Sequence, residues 1–239
     1  MNEELNRLGL VDDEDIVLDE AALSLALLDQ PDADLTSCHE LVETIATRLD
    51  VVGNADTARA RTDGLSQVFA DEFGFVGDRD TYDDSANADM IRVLDRRRGL
   101  PVSLSILYVA AARRLGWTAS VLDVPGHVLV LVGDEADPVI VDPFRGGVRV
   151  RRNQLAAMVS AISPGPATAV RHVAAMPNRA VLVRLLLNQA TRAEQAGRGR
   201  RALELYARMT VMAPGYGHAW WERARWSSPM ATCRRRERA

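Results

Sequence analysis

"RVLDRRRGLPVSLSILYVAAARRLG", Arg92 to Gly116, is the stretch on which the fold turns. Three arginines and a glycine run into an amphipathic helix whose first residue is Pro101. Proline suits that position: its fixed φ is helical and its missing N–H would have had no intrahelical acceptor. Arg96, Arg97 and Arg98 stand just upstream and leave two readings open. They could bind an anion at the helix start, where unpaired N–H groups favour negative charge. They could equally be a solvated cluster paired with Asp83, Asp84, Asp89 or Asp95.

Downstream of Gly116 the hydrophobic period changes to two. "TASVLDV", "HVLVLVG" and "PVIVDPF" are short runs rich in β-branched residues, separated by Pro125-Gly126 and by Gly133-Asp134-Glu135. They read as an antiparallel meander packed on the helix, because the intervening loops are too short for parallel crossovers. "RGGVRVRRNQLAAMVSAI" adds a glycine turn, an edge strand and another helix, followed by a Pro-Gly-Pro breaker at Pro164 to Pro166.

Upstream the chain reads as helical. "EAALSLALLDQPDADL" stops at Gln30-Pro31-Asp32, and "LTSCHELVETIATRLD" repeats Leu35, Leu41, Ile45 and Leu49 at helical spacing after a capping box of Thr36 or Ser37 with Glu40. "ARTDGLSQVFADEFGFVG" supplies a further helix ending near Gly74, with Phe73 and Phe75 turned to the core. Residues 1–90 are therefore read as an N-terminal helical region and 91–163 as an α+β core. The acidity of the first 34 residues, eleven Asp or Glu against Arg7 alone, reads as a solvated face.

The C-terminal part has a different pattern. Gly197, Ala202, Tyr206 and Pro214 fall at the offsets of one tetratricopeptide unit of about 34 residues, so 178–226 reads as a helical hairpin with a further helix begun. Trp220, Trp221 and Trp226 crowd into that further helix. They offer a protein-docking surface, although packing on the preceding pair would account for Trp220 equally well. Residues 227–239 read as a frayed basic tail.

Composition narrows the function. A hydrophobic content of 47% and a length of 239 residues support a sizeable core. A net charge of -4 provides no global basic field, so nucleic acid is not an expected partner. Every basic residue among Lys+Arg is arginine, which excludes Schiff-base chemistry, a P-loop lysine and a lysine base. Cys38 and Cys233 lie outside any metal-type spacing, and no metal or cofactor is expected. The cysteine usage and the lack of a long apolar run read as a cytoplasmic, non-membrane protein.

One constellation could carry chemistry: Gly99-Leu100-Pro101, then Pro125-Gly126-His127, then Val141-Asp142-Pro143-Phe144. "VLDRRRGLPVSLSILYVAAARRLGW", "VPGHVLVLV" and "VDPFRGG" together resemble the transglutaminase-like core of the bacterial SirB-one type, a branch of the papain-like cysteine hydrolases. The resemblance spans roughly Ile16 to Trp226 and implies helices before the core and tetratricopeptide-like helices after it. In catalytic members it implies a Cys nucleophile two residues after a Gly, a His opening one strand and an Asp on the next. His127 and Asp142 match that pattern, and Pro101 occupies the nucleophile position. The Gly-x-Pro pattern is itself common in SirB-one-like proteins.

Proline has no nucleophilic atom, so thioester chemistry cannot start there. Ser105 lies one turn deeper on the same helix face and Ser103 about 200° around the helix; a hydrolase would have to use Ser105 or Ser103 with His127 and Asp142. Apart from the resemblance, His127 could be a core histidine satisfied by a backbone carbonyl. A ligand in the former catalytic groove would be expected to meet Arg98, Gly99, Ser103, Tyr108 or Gly126. The leading expectation is a non-catalytic binding or regulatory protein that meets a protein partner through its C-terminal helices. A serine-dependent amide or peptide hydrolase and a purely structural adaptor are the alternatives.

Overall fold

The structure is a computed structural model that describes residues 3–52, 56–134, 136–162 and 174–227. The breaker at Pro164 to Pro166, Cys233 and the basic tail beyond Ser227 lie outside the described residues. The chain divides into two compact units, Val17–Pro177 and a second made of Met1–Ile16 with Asn178–Ala239.

The larger unit is an α+β assembly around one central helix. Helix α2 (Leu18–Leu27), α3 (Thr36–Val52), α4 (Ala58–Ser66, continued by a π turn over Gln67–Glu72) and α5 (Met90–Arg96) precede α6 (Pro101–Arg114). In the naming used here, α1 is the helix Glu3–Leu10 of the second unit. Helix α6 is buried along almost its whole length, from Pro101 to Ala112. It packs on α2 and α3 on one side and on the sheet on the other. A helix with so little polar surface has to be enclosed by other elements. At its far end Arg114 pairs with the buried Asp19 of α2 at 2.7 Å.

Four strands follow the expected meander, and a fifth joins them. β3 (Ala119–Val124), β4 (His127–Val132), β5 (Val139–Asp142) and β6 (Val148–Arg149) pair antiparallel in chain order, and β7 (Ala174–Ala175) joins the free side of β3. The buried Val121, Val130 and Val141 stand in register across three strands. The alternate residues Leu122, Val124 and Leu129 form the opposite face with Val159 of α7 (Arg152–Ile162), joined by Leu131, Ile140, Leu155 and Met158. Burial on both faces explains why β3 and β4 are apolar almost throughout.

A second, two-stranded ladder determines how α6 begins. β1 (Val76–Gly77) runs parallel to β2 (Arg98–Gly99), with Gly77 opposite Gly99. Between α5 and β2 the chain turns sharply at Arg97, which has φ +56, in the left-handed region. Its guanidinium donates to the Phe73 carbonyl and lies over the Phe73 ring. Phe73 is therefore a half-buried partner of Arg97, whereas Phe75 enters the core as expected.

The smaller unit joins the two ends of the described chain. α8 (Asn178–Gln195) and α9 (Gly199–Met212) form an antiparallel hairpin, and α10 (Gly217–Ser227) packs on α9. Helix α1 also packs on α9, with a backbone approach so close that a Cβ at Gly9 would lie 2.6 Å from the Val211 oxygen. Asp13 then caps α8, accepting from Asn178 N and Arg179 N at 2.8 Å each. The region read as residues 1–90 is thus divided, and its first helix joins the C-terminal helices. The physical reason is that the apolar face of α1, Leu5 and Leu8, finds its cover there. Among the three clustered tryptophans, Trp226 is the packing residue. It donates to Glu194 at 2.6 Å and lies where a side chain on Gly199 would be, while Trp220 is 47% and Trp221 61% exposed.

Candidate functional site

The meander brings His127, the first residue of β4, beside Asp142, the last residue of β5. His127 Nε2 lies 3.0 Å from Asp142 Oδ2. A carboxylate only accepts hydrogen bonds, so Nε2 is the donor and Nδ1 is left for other partners. Asp142 is itself held by the turn that follows it: Phe144 N donates to its Oδ1 at 3.1 Å, and Arg145 Nε approaches Oδ2 at 3.5 Å. This buried carboxylate can orient an imidazole in the manner of a catalytic triad.

Pro101 is the first residue of α6 and is buried, with Leu100 as N-cap. It supplies no attacking atom, and the neighbouring hydroxyls are committed or enclosed. Ser103 donates to the Asn87 carbonyl at 2.7 Å. Ser105 Oγ is buried without a hydrogen-bond partner, so it makes no bond to His127. Tyr108, two turns into the helix, is fully buried and stacked on Phe69, with its hydroxyl unpartnered. Burial, and secondarily the charges of Asp71 and Asp142, pushes that phenol well above its ordinary value.

These positions correct part of the expected ligand set. Ser103 and Tyr108 are 0% exposed, and Gly99 is buried at the ladder, where an added Cβ would press on Val93 at 3.1 Å. Ser103 turns to the Asn87 carbonyl and Tyr108 to Phe69, both away from solvent. Arg98 and Gly126 are exposed, the latter with φ +74 in the turn joining β3 to β4.

An open groove of about 590 Å³ lies against the imidazole, lined by Arg79, Tyr82, His127, Phe144 and Arg145. A second groove of about 350 Å³ shares Arg79, Phe144 and Arg145 with it and reaches Arg98 and Asp80. Phe144 forms their common wall, set edge-on to Tyr82 and lying against Gly77, where a Cβ would stand 2.3 Å from the ring. Arg79 and Tyr82 carry no signal in the sequence because they sit in "GDRDTYDDSANA", a segment without periodicity. Arg145 was legible only as the residue after Pro143-Phe144 in the strand-end motif.

A buried polar brace holds the loop that carries Arg79 and Tyr82. Asp78 is 2% exposed and accepts from Thr81 Oγ1 at 2.6 Å, Thr81 N at 2.9 Å, Asp80 N at 3.2 Å and Arg96 Nη2 at 2.8 Å. Arg96 also donates to Asn87 Oδ1, and the Asn87 carbonyl accepts from Leu100 N and Ser103 Oγ at the start of α6. Burial works against the Asp78 charge, but bonds from Thr81, Arg96 and Asn87 outweigh it and hold this carboxyl well below the usual range. Arg96 therefore pairs with Asp78, which was not among its expected partners.

Among the described residues no group of three or more His, Cys, Asp or Glu could hold a metal ion. No described helix is long and apolar enough to cross a membrane.

Comparison with known proteins assigns the chain to a family. A family model for the transglutaminase-like superfamily matches residues 35–187, and the chain belongs to that superfamily. A "UPF0162 protein" of Xylella fastidiosa is 29% identical over 219 residues, covering 90% of this chain and 78% of that protein. One from Vibrio cholerae is 31% identical over 170 residues, covering 70% and 63%. A mouse "F-box only protein 21" is 35% identical over 82 residues, or 34% of this chain and 13% of that protein. No solved structure matches.

Proposed function

We propose that this chain is a non-catalytic transglutaminase-like protein of the SirB-one type, a cytoplasmic binding or regulatory module. One observation carries the reading: an oriented imidazole faces an open groove, while the nucleophile position is Pro101 and no serine among the described residues bonds to that imidazole. The groove then serves as a binding site. The helical hairpin of α8 and α9, read as tetratricopeptide-like, meets a protein partner, and the exposed Trp220 and Trp221 of α10 are its contact residues.

The test restores the missing atom. In Pro101→Cys the family resemblance implies a thiol at a helix start beside the imidazole, and both features lower its pKa; a drop of about one unit raises the thiolate fraction several-fold at neutral pH. That variant reacts with iodoacetamide faster than the unmodified protein, and adding His127→Ala removes the gain. Burial pushes the Cys38 thiol up, which makes it a slow internal reference. Equal rates in the single and double variants would mean that His127 does not serve the groove. Amide or peptide hydrolysis by the unmodified protein, lost in Ser105→Ala, would overturn the reading in favour of a serine hydrolase.

A further inference from the structure

We infer that the groove beside His127 receives an acidic polypeptide segment, one of whose carboxylates sits between Arg79 and Arg145. This rests on the reading of the groove as a binding site. The argument begins with charge. The chain carries -4 overall, and several of its arginines are matched: Arg48 with Glu72, Arg96 with Asp78, Arg114 with Asp19 and Arg149 with Asp63. The groove departs from that pattern. Arg79 and Arg98 pair with no carboxylate among the described residues. Arg145 comes no nearer to Asp142 than 3.5 Å, at Nε, and its side chain is 67% exposed.

These guanidinium groups surround a concave surface. Arg79 and Arg145 both line the larger groove, whose lining contains no carboxylate side chain, and Asp80 is the acid that faces them in the smaller one. A guanidinium fork matches a carboxylate in a bidentate geometry, so two forks on one rim favour an anionic group between them.

The shape favours a segment of chain over a small anion. The two grooves share Arg79, Phe144 and Arg145 in their lining, which extends the concave surface beyond a single anion, and the aromatic walls of Tyr82 and Phe144 offer apolar contact beside the charges. A phosphate seat would draw on converging backbone N–H groups at a helix start. The start of α6 offers the grooves no such seat: Pro101 has no N–H, Leu100 N donates to the Asn87 carbonyl, and neither residue lines them.

The experiment is calorimetric titration of the full-length protein at low salt with two octapeptides, one alternating Glu and Leu and the other with Gln in place of Glu. The Glu peptide binds at least about tenfold more tightly. Arg79→Ala and Arg145→Ala each weaken it by about tenfold or more, as expected for loss of a charge-assisted hydrogen bond. Arg151→Ala, in the separate groove bounded by Arg59 and Arg149, leaves the affinity unchanged. Equal binding of the two peptides, or full affinity in the Arg79→Ala, Arg145→Ala double variant, overturns the inference. Binding of inorganic phosphate by a protein that ignores the Glu peptide overturns it too. Mass spectrometry of the recovered peptide separates the two readings: cleavage contradicts the non-catalytic proposal, whereas an intact peptide bound without charge preference contradicts only the acidic-segment inference.

Discussion

Asp78 and Asp142 are both nearly buried carboxylates, and each meets a nitrogenous base, yet they serve the site in opposite ways. Asp78 accepts hydrogen bonds from two backbone amides, a hydroxyl and a guanidinium. Asp142 accepts from one backbone amide and from an imidazole that borders the groove. A carboxylate saturated with donors acts as a structural joint, and here it fixes the loop bearing Arg79 and Tyr82 to the start of α6. A carboxylate with fewer partners orients a base and leaves the other nitrogen of that base available. The comparison separates the residues that build the groove from those that would meet a ligand.

The largest effect is expected on the joint. Asp78→Asn deprives the part-buried Arg96 of its countercharge and costs about 3 kcal/mol in urea unfolding, the range for breaking a buried pair. The pH dependence has a definite sign. The folded Asp78 carboxyl lies below its unfolded value of about 3.9, so its stabilisation is complete above that pH and is lost as pH falls toward the folded value. The stability gap between the two proteins should stay constant from neutrality to about pH 5 and shrink steadily below about pH 4. A gap unchanged at pH 2 would contradict the role given to Asp78.

The corresponding change at the groove should be milder. Asp142→Asn keeps an acceptor for Phe144 N and a neutral partner for His127, and costs about 1 kcal/mol by the same measurement. A loss equal to that of Asp78→Asn would erase the distinction between joint and orienting group.

The smallest effect has the opposite sign. The Tyr108 hydroxyl is buried without a hydrogen-bond partner, so Tyr108→Phe stabilises the protein by up to about 1 kcal/mol at neutral pH. Burial raises the folded phenol above its unfolded value of about 10, so the native protein loses stability as pH rises past that value. The advantage of the Phe variant should therefore widen in alkaline denaturation. A net loss on substitution would point to an unrecognised partner for the hydroxyl.

What could be read from the chain alone was local. Pro101 at a helix start, the change of period after Gly116 and the short turns at Pro125-Gly126 and Gly133 determined a helix packed on an antiparallel meander. The strand-end placement of His127 and Asp142 followed, because neighbouring strands joined by short turns have few possible registers. Only the tertiary structure decided that Asp78 and Asn87, in a segment without periodicity, would hold the helix start, and that Arg96 would turn to them instead of to nearer acids. It also decided that Ser103 and Tyr108 would be enclosed while Arg79 and Arg145 would line the groove. Asp13 capping a helix that begins at Asn178 belongs to the same class. Periodicity and capping express the energetics of adjacent residues. The partner of a polar side chain depends on which distant segment is packed beside it, and that is settled only when the whole core closes.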